Sequence, residues 1–104
     1  MSQQAKFAIG QVIHHRLFEY RGVIVDIDPT FQGSEQWYTQ VAKSRPPKDQ
    51  PWYHVLVDGS EGETYVAERN LELEENPQPI EHAKTDLFFS TFEDGFYRYR
   101  HTSH

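Results

Sequence analysis

Histidine and aspartate side chains are the residues of this sequence that could support acid–base or metal chemistry. There are six His, and His14 and His15 are adjacent, so on a strand they point to opposite faces and do not readily share one ion. Asp26 and Asp28 share one face of a predicted strand, where paired carboxylates can move protons or hold a divalent cation. Asp28 precedes Pro29, however, so its carboxylate is expected to close an Asx-type turn instead of taking part in such chemistry. With no Cys and no HxH or HExxH spacing, the sequence predicts no catalytic residue, no metal site and no cofactor.

Aromatic side chains are in excess, with two Trp, six Tyr and seven Phe. Near loop mouths they can form a stacking platform for bases or a cage for a cation or a peptide side chain. Filling the core of a small domain is the favoured interpretation, and we expect loss of folding if Trp52 is truncated. The candidate ligand groove consists of residues on the predicted strands: His15, Tyr20, Asp28, Trp52, Tyr53, His54 and Tyr65.

Charge is unevenly distributed along the 104 residues. The formal net charge is −6, but residues 1–56 carry six basic against five acidic side chains, and residues 57–104 carry four against eleven. An acidic half repels phosphate, so we expect any nucleic acid to lie on the first half. The candidate phosphate contacts are Arg16, Arg21, Lys43, Arg45 and Lys48. The last three lie between two Trp-Tyr pairs, a pattern typical of nucleic-acid surfaces, although a solvated loop would carry the same charges.

Strands and turns must position these side chains. Apolar runs predict strands at Gln11–Leu17, Tyr20–Asp28, Trp52–Asp58 and Glu63–Glu68, with Asn70–Leu73 as a fifth strand or a 3₁₀ turn. Ser34 is the predicted cap of a short helix over Glu35–Lys43. Gly22 indicates a bulge or a close backbone approach. After an acidic, proline-containing linker, Thr85 is predicted to cap a helix over Asp86–Ser90, and Phe96–Arg100 alternates like a strand.

The predicted fold is mainly β: a small antiparallel barrel of about five strands with one or two short helices. Residues 1–5 are expected to be a disordered start and residues 6–73 to form the barrel. Residues 74–104 are expected to be a linker and an aromatic extension that packs on the barrel or on an oligomer partner. No apolar run is long enough to span a bilayer and Met1–Gly10 has no signal-peptide core, so no membrane association is expected.

Three ordered blocks of the sequence resemble one bacterial family, that of heat-shock protein HspQ, or YccV-like hemimethylated-DNA-binding protein. The blocks are FAIGQVIHHRLFEYRGVIVDIDPTF (Phe7–Phe31), QPWYHVLVD (Gln50–Asp58) and TYVAERNL (Thr64–Leu71). Matching positions include His15, Tyr20, Gly22, Asp26, Asp28, Pro29, Trp52, Tyr53, His54, Tyr65, Ala67, Glu68 and Leu71. The resemblance implies an SH3-like β-barrel, a cytoplasmic location and no enzyme activity.

The same resemblance implies two roles, and the residues leave a third open. The first is service to a Lon-type ATP-dependent protease, as a specificity-enhancing adaptor for selected or denatured proteins under heat stress. The second is binding to hemimethylated duplex DNA, which the acidic net charge places second on mechanistic grounds. The third is an SH3- or Tudor-like peptide-binding module with no DNA role, which salt would affect little.

Overall fold

The structure is a computed structural model that describes residues 4–100. Of the predicted disordered start, residues 1–3 lie outside the described part, and Gln4 and Ala5 have no regular secondary structure. The last four residues of the predicted extension, 101–104, also lie outside it.

Five strands form one antiparallel sheet in the order β4-β3-β2-β1-β5. They are β1 (Val12–His15), β2 (Arg21–Asp28), β3 (Trp52–Val57), β4 (Glu63–Ala67) and β5 (Leu71–Leu73). A 3₁₀ turn, Glu68–Asn70, links β4 to β5. The prediction of a mainly β fold with one or two short helices is confirmed, since the helices are Glu35–Val41 and Thr85–Phe88. Within residues 4–100 no ladder joins β4 to β5, so the sheet is open and the predicted closed barrel is not confirmed.

The central strand β2 is buried on both faces, as its β-branched centre predicts. Val23 and Val25 enter one core cluster and Ile24 enters the other. Gly22 marks a close approach, because an added Cβ would lie 2.6 Å from the carbonyl oxygen of Leu56. The register shift of this strand lies between Ile24 and Asp26 instead of at the glycine.

The first helix, α1 (Glu35–Val41), follows the predicted cap. The Ser34 hydroxyl accepts a hydrogen bond from Trp37 N at 3.0 Å, which satisfies one of the free amides of the first turn. The helix ends before the predicted Lys43. Ala42 already has non-helical backbone angles and Arg45 has φ +52°, which turns the chain toward Pro46.

The C-terminal segment differs from the prediction of a helix over Asp86–Ser90. The helix α2 (Thr85–Phe88) is one turn long with Lys84 as its cap residue, and Phe89 begins a strand. That strand, β6 (Phe89–Glu93), pairs with β7 (Phe96–Tyr99) in a hairpin. The physical reason is burial: Phe89 is 2 % exposed and belongs to the same core cluster as Val23 and Val25.

The hairpin and the segment before it cover one face of the sheet. Ile80 and Phe89 are buried against this face, and Phe88, Phe92 and Tyr97 pack around them. The hairpin also continues the backbone pairing, since Tyr97 N donates to Gly10 O at 2.7 Å. None of the helices formed by residues 4–100 has the length and apolar character that crossing a membrane would require.

Candidate functional site

Aromatic side chains of the loop between β2 and β3 pack against rings of β3 and β4, and we define this aromatic cluster as Phe31, Trp37, Tyr38, Trp52 and Tyr65. Their ring centroids lie 4.8–6.4 Å apart in tilted, stacked and edge-on pairs. Backbone carbonyls of the loop fix the rings, because Tyr38 Oη donates to Pro46 O and Trp52 Nε1 donates to Pro47 O. Trp52 is 1 % exposed. Most of this cluster therefore stabilises the loop, as the packing interpretation expects.

A groove of about 630 Å³ opens beside the cluster. It lies between the exposed face of α1, the β1–β2 turn (residues 16–19) and the whole length of β4. Tyr20 and Tyr65 border it, and the Tyr20 hydroxyl is hydrogen-bonded to Thr64 Oγ1 at 2.7 Å. Leu17, Phe18 and Val41 contribute exposed apolar surface to its rim. We call this cavity the apolar groove.

His15 holds the β1–β2 turn that forms one wall of the groove. Its Nδ1 accepts hydrogen bonds from both Leu17 N and Phe18 N at 3.1 Å, and its ring stacks on Phe18 with centroids 4.7 Å apart. Accepting two N–H groups requires an unprotonated Nδ1. Burial, and secondarily the neighbouring His14, lower the pKa of His15 below its ordinary value of 6.5. The side chain acts here as a neutral structural acceptor.

Asp28, His54 and Tyr65 form a polar network behind the aromatic cluster. Asp28 Oδ2 accepts from Tyr65 Oη at 2.7 Å and lies 3.1 Å from His54 Nε2. This carboxylate bonds side chains of β3 and β4, and no backbone amide of the described residues bonds to it, so the predicted Asx-type turn is not confirmed. Burial, followed by the bond to Asp28, raises the pKa of Tyr65, which keeps its hydroxyl a donor. Asp26 joins Asp28 and His54 in a group of potential ligand atoms that lie within 4.8 Å of one another.

Tyr53 lies inside the core, away from the groove. It is fully buried, and its hydroxyl donates to Glu68 Oε2 at 2.6 Å. Burial, followed by this bond to Glu68, raises the pKa of Tyr53. Glu68 also accepts a hydrogen bond from Lys6 N at 2.9 Å. Its buried carboxylate therefore links the N-terminal segment to β3.

Four exposed cations come from chain segments that meet near one end of the groove, and we call Arg16, Lys43, Arg45 and Arg69 the basic cluster. Arg16 Nη1 donates to Arg69 O at 2.9 Å. The Arg69 guanidinium in turn donates to the carbonyl of Ser44, the residue between Lys43 and Arg45. Among residues 4–100, no carboxylate oxygen lies within 4.0 Å of the charged nitrogens of these four side chains. The cluster therefore presents unneutralised positive charge.

The other two predicted phosphate contacts lie apart from this cluster. Arg21 pairs with Asp58 at 2.9 Å and donates to backbone carbonyls of Gln78 and Pro79, so it holds the C-terminal segment. Lys48 pairs with Glu35, and its ammonium lies 4.4 Å from the centroid of the Tyr38 ring.

The structure thus brings together part of each predicted set. Of the seven predicted groove residues, His15, Tyr20, Trp52 and Tyr65 border the groove, whereas Tyr53 is in the core and Asp28 and His54 lie behind Tyr65. Sequence reasoning missed Arg69, because it belongs to the acidic half of the chain. It also missed the apolar rim of Leu17, Phe18 and Val41, although Leu17 and Phe18 are large apolar residues in a turn, which was a usable signal.

The candidate site is thus an apolar groove bordered by aromatic side chains, with positively charged side chains near one end. A family model described as "Hemimethylated DNA-binding protein YccV like" matches residues 5–95 of the chain. The match extends beyond the three blocks of resemblance to include the segment that covers the sheet and the first strand of its hairpin, β6, but not β7. The chain belongs to the YccV-like hemimethylated DNA-binding protein family.

Proposed function

We propose that the protein is a non-enzymatic DNA-binding module that contacts the phosphate backbone through the basic cluster. The observation that carries the proposal is the grouping of four unneutralised cations on a chain whose net charge is −6. Acidic residues elsewhere would repel DNA, so binding is confined to this surface. The description of the family supports DNA as the ligand.

Preference for hemimethylated duplex is part of the same proposal. Phosphate contacts position a protein on DNA without reading its sequence or its methylation. The apolar groove beside the cations offers a surface on which an added methyl group gains by burial. Burying one such group is worth about 0.8 kcal/mol, which corresponds to roughly fourfold in affinity. We therefore expect a modest methylation preference on top of a larger electrostatic affinity.

Titration of hemimethylated, fully methylated and unmethylated duplexes at several salt concentrations tests the proposal. If all four cations contact phosphates, log Kd rises with log salt with a slope of roughly 3.6. Lys43→Glu should weaken binding to every duplex at least tenfold at low salt. Lys84→Glu, an exposed lysine on the far segment, makes the same change in net charge and should have little effect. Equal losses in the two variants, or affinities that do not depend on salt, would refute the basic cluster as the contact.

A second candidate function is protein binding, which the exposed apolar rim of the groove favours. In this reading the protein is a cytoplasmic stress-response adaptor that enhances the specificity of a Lon-type ATP-dependent protease for selected or denatured proteins. A narrower version is a peptide-binding module with no DNA role. The test is degradation of several model substrates by purified Lon with and without the protein. Unchanged rates for all substrates would exclude the adaptor role.

We also propose that the open sheet is an SH3-like partial barrel. Its two edge strands, β4 and β5, are joined by a 3₁₀ turn of only three residues. So short a link requires the sheet to curl until its edges approach each other.

A homo-oligomer is a further proposal, supported by exposed Leu87, Phe96 and Tyr99 on the C-terminal segment. Light scattering of the wild type and of Leu87→Ser, with an unchanged monomer mass in both, would exclude it.

A further inference from the structure

We propose that the apolar groove binds an extended peptide segment that lies along β4, with alternate apolar side chains and an acidic end at the basic cluster. The inference rests on the protein-binding function proposed above and names the chemistry of its partner.

The first support is the edge of the sheet. β4 is the last strand in the sheet order and, within the described chain, pairs only with β3. An antiparallel ladder on one side leaves alternate backbone N–H and C=O groups directed away from it. All five residues of β4 border the groove. An extended segment placed there can hydrogen-bond to these groups as an added strand.

The second support is the apolar rim that faces β4. Leu17 is 57 % exposed, Phe18 is 75 % exposed and Val41 is 55 % exposed. Single exposed apolar residues need no explanation, but three around one groove indicate a binding surface. Successive side chains of an extended peptide point to opposite sides, so alternate apolar residues would contact this rim.

The third support is the polarity of charge along the groove. Lys43, Ser44 and Asn70 border the end near Ala67, and the rest of the basic cluster adjoins them. Glu63 borders the opposite end. A ligand with negative charge at one end and apolar character along its length complements this distribution. A methylated duplex offers the groove only a methyl group, whereas an extended peptide complements its whole length, so the groove as a whole favours a peptide.

Fluorescence anisotropy with a labelled peptide tests the inference. The probe is a short peptide in which leucine alternates with threonine and which ends in a run of glutamates. Phe18→Ser should weaken peptide binding about tenfold or more, because the variant lacks the phenyl ring that the bound peptide would bury. Leu73→Ser removes a similarly exposed apolar side chain on β5, outside the groove, and should leave binding unchanged. Equal weakening in both variants, or undiminished binding by Phe18→Ser, would overturn the proposal.

Two further arms distinguish charge and partner class. A peptide ending in lysines should bind more weakly than the probe, and Lys43→Glu should reduce or reverse that difference. Binding of an all-serine version with the same glutamates would mean that charge alone attracts the ligand, which refutes the groove. Duplex titration and Lon assays on the same preparations distinguish failure of this inference from failure of the proposed functions. A protein that binds DNA or stimulates Lon but does not bind the peptide refutes this inference and leaves the proposed functions standing.

Discussion

Protonation of His15 should destabilise the fold below neutral pH. Nδ1 of this residue accepts two backbone N–H groups of the β1–β2 turn, and a proton on that nitrogen would remove both hydrogen bonds. His15 is 4 % exposed, and burial lowers its pKa in the folded state below 6.5. The unfolded chain therefore takes up the proton first as pH falls.

The sign and size of the effect follow from this difference in pKa. The stabilisation is fully present above about pH 6.5 and is lost as pH falls through the lowered folded-state pKa. Within that window the free energy of unfolding falls by up to about 1.4 kcal/mol per pH unit. Because the turn carries Leu17 and Phe18, the rim of the apolar groove should lose order over the same range.

Urea unfolding between about pH 8 and pH 5 measures the effect, with His15→Asn as the matched variant. The Asn carbonyl can take the place of Nδ1 as an acceptor but does not titrate in this range. The variant should lose about 1–3 kcal/mol at neutral pH, because the ring stack on Phe18 is removed. It should also show a smaller pH slope. Subtracting the two curves cancels the titration of the other histidines, so parallel curves would refute the role assigned to His15.

Four further substitutions test the packing, one of them as a matched control. Gly10→Ala should lower the free energy of unfolding by about 2–4 kcal/mol, because φ is +93° and the added Cβ would lie 2.2 Å from the carbonyl oxygen of Tyr97 on β7. Gly59→Ala is the control: φ is +76° but the space around it is open, so urea unfolding should show a loss of only about 1–2 kcal/mol. Trp52→Ala should cost about 3–5 kcal/mol, measured by thermal unfolding, because the buried indole leaves a cavity. Glu68→Ala should cost about 1–3 kcal/mol in chemical denaturation, because the buried Tyr53 hydroxyl loses its acceptor.

Each of these predictions has a contradicting result. Equal costs at the two glycines would mean that the hairpin does not dock closely at Gly10. If the Trp52→Ala protein folds with unchanged stability, the indole does not stabilise the core, and its role would be in ligand binding. If Tyr53→Phe in the Glu68→Ala background recovers none of the lost stability, the unsatisfied hydroxyl is not the cause.

The local sequence determined much of the strand framework. The apolar runs predicted the strands β1 to β4, and Ser34 predicted the start of α1. These features depend on residues a few positions apart, so their chemistry is readable without knowing the fold. The prediction from local sequence was wrong at Phe89, which was expected in a helix and begins β6. The local sequence is compatible with either structure, and burial of Phe89 against the sheet selects the strand.

Tertiary structure alone decided which functional side chains meet. Arg69 comes from the acidic half of the chain, yet the 3₁₀ turn places it between Arg16 and Ser44. Tyr53 and Tyr65 are similar in sequence context, but one is sealed in the core by Glu68 and the other borders the groove. Residue type and spacing cannot separate such cases, because neighbours that are dozens of positions apart are fixed by strand register and loop closure.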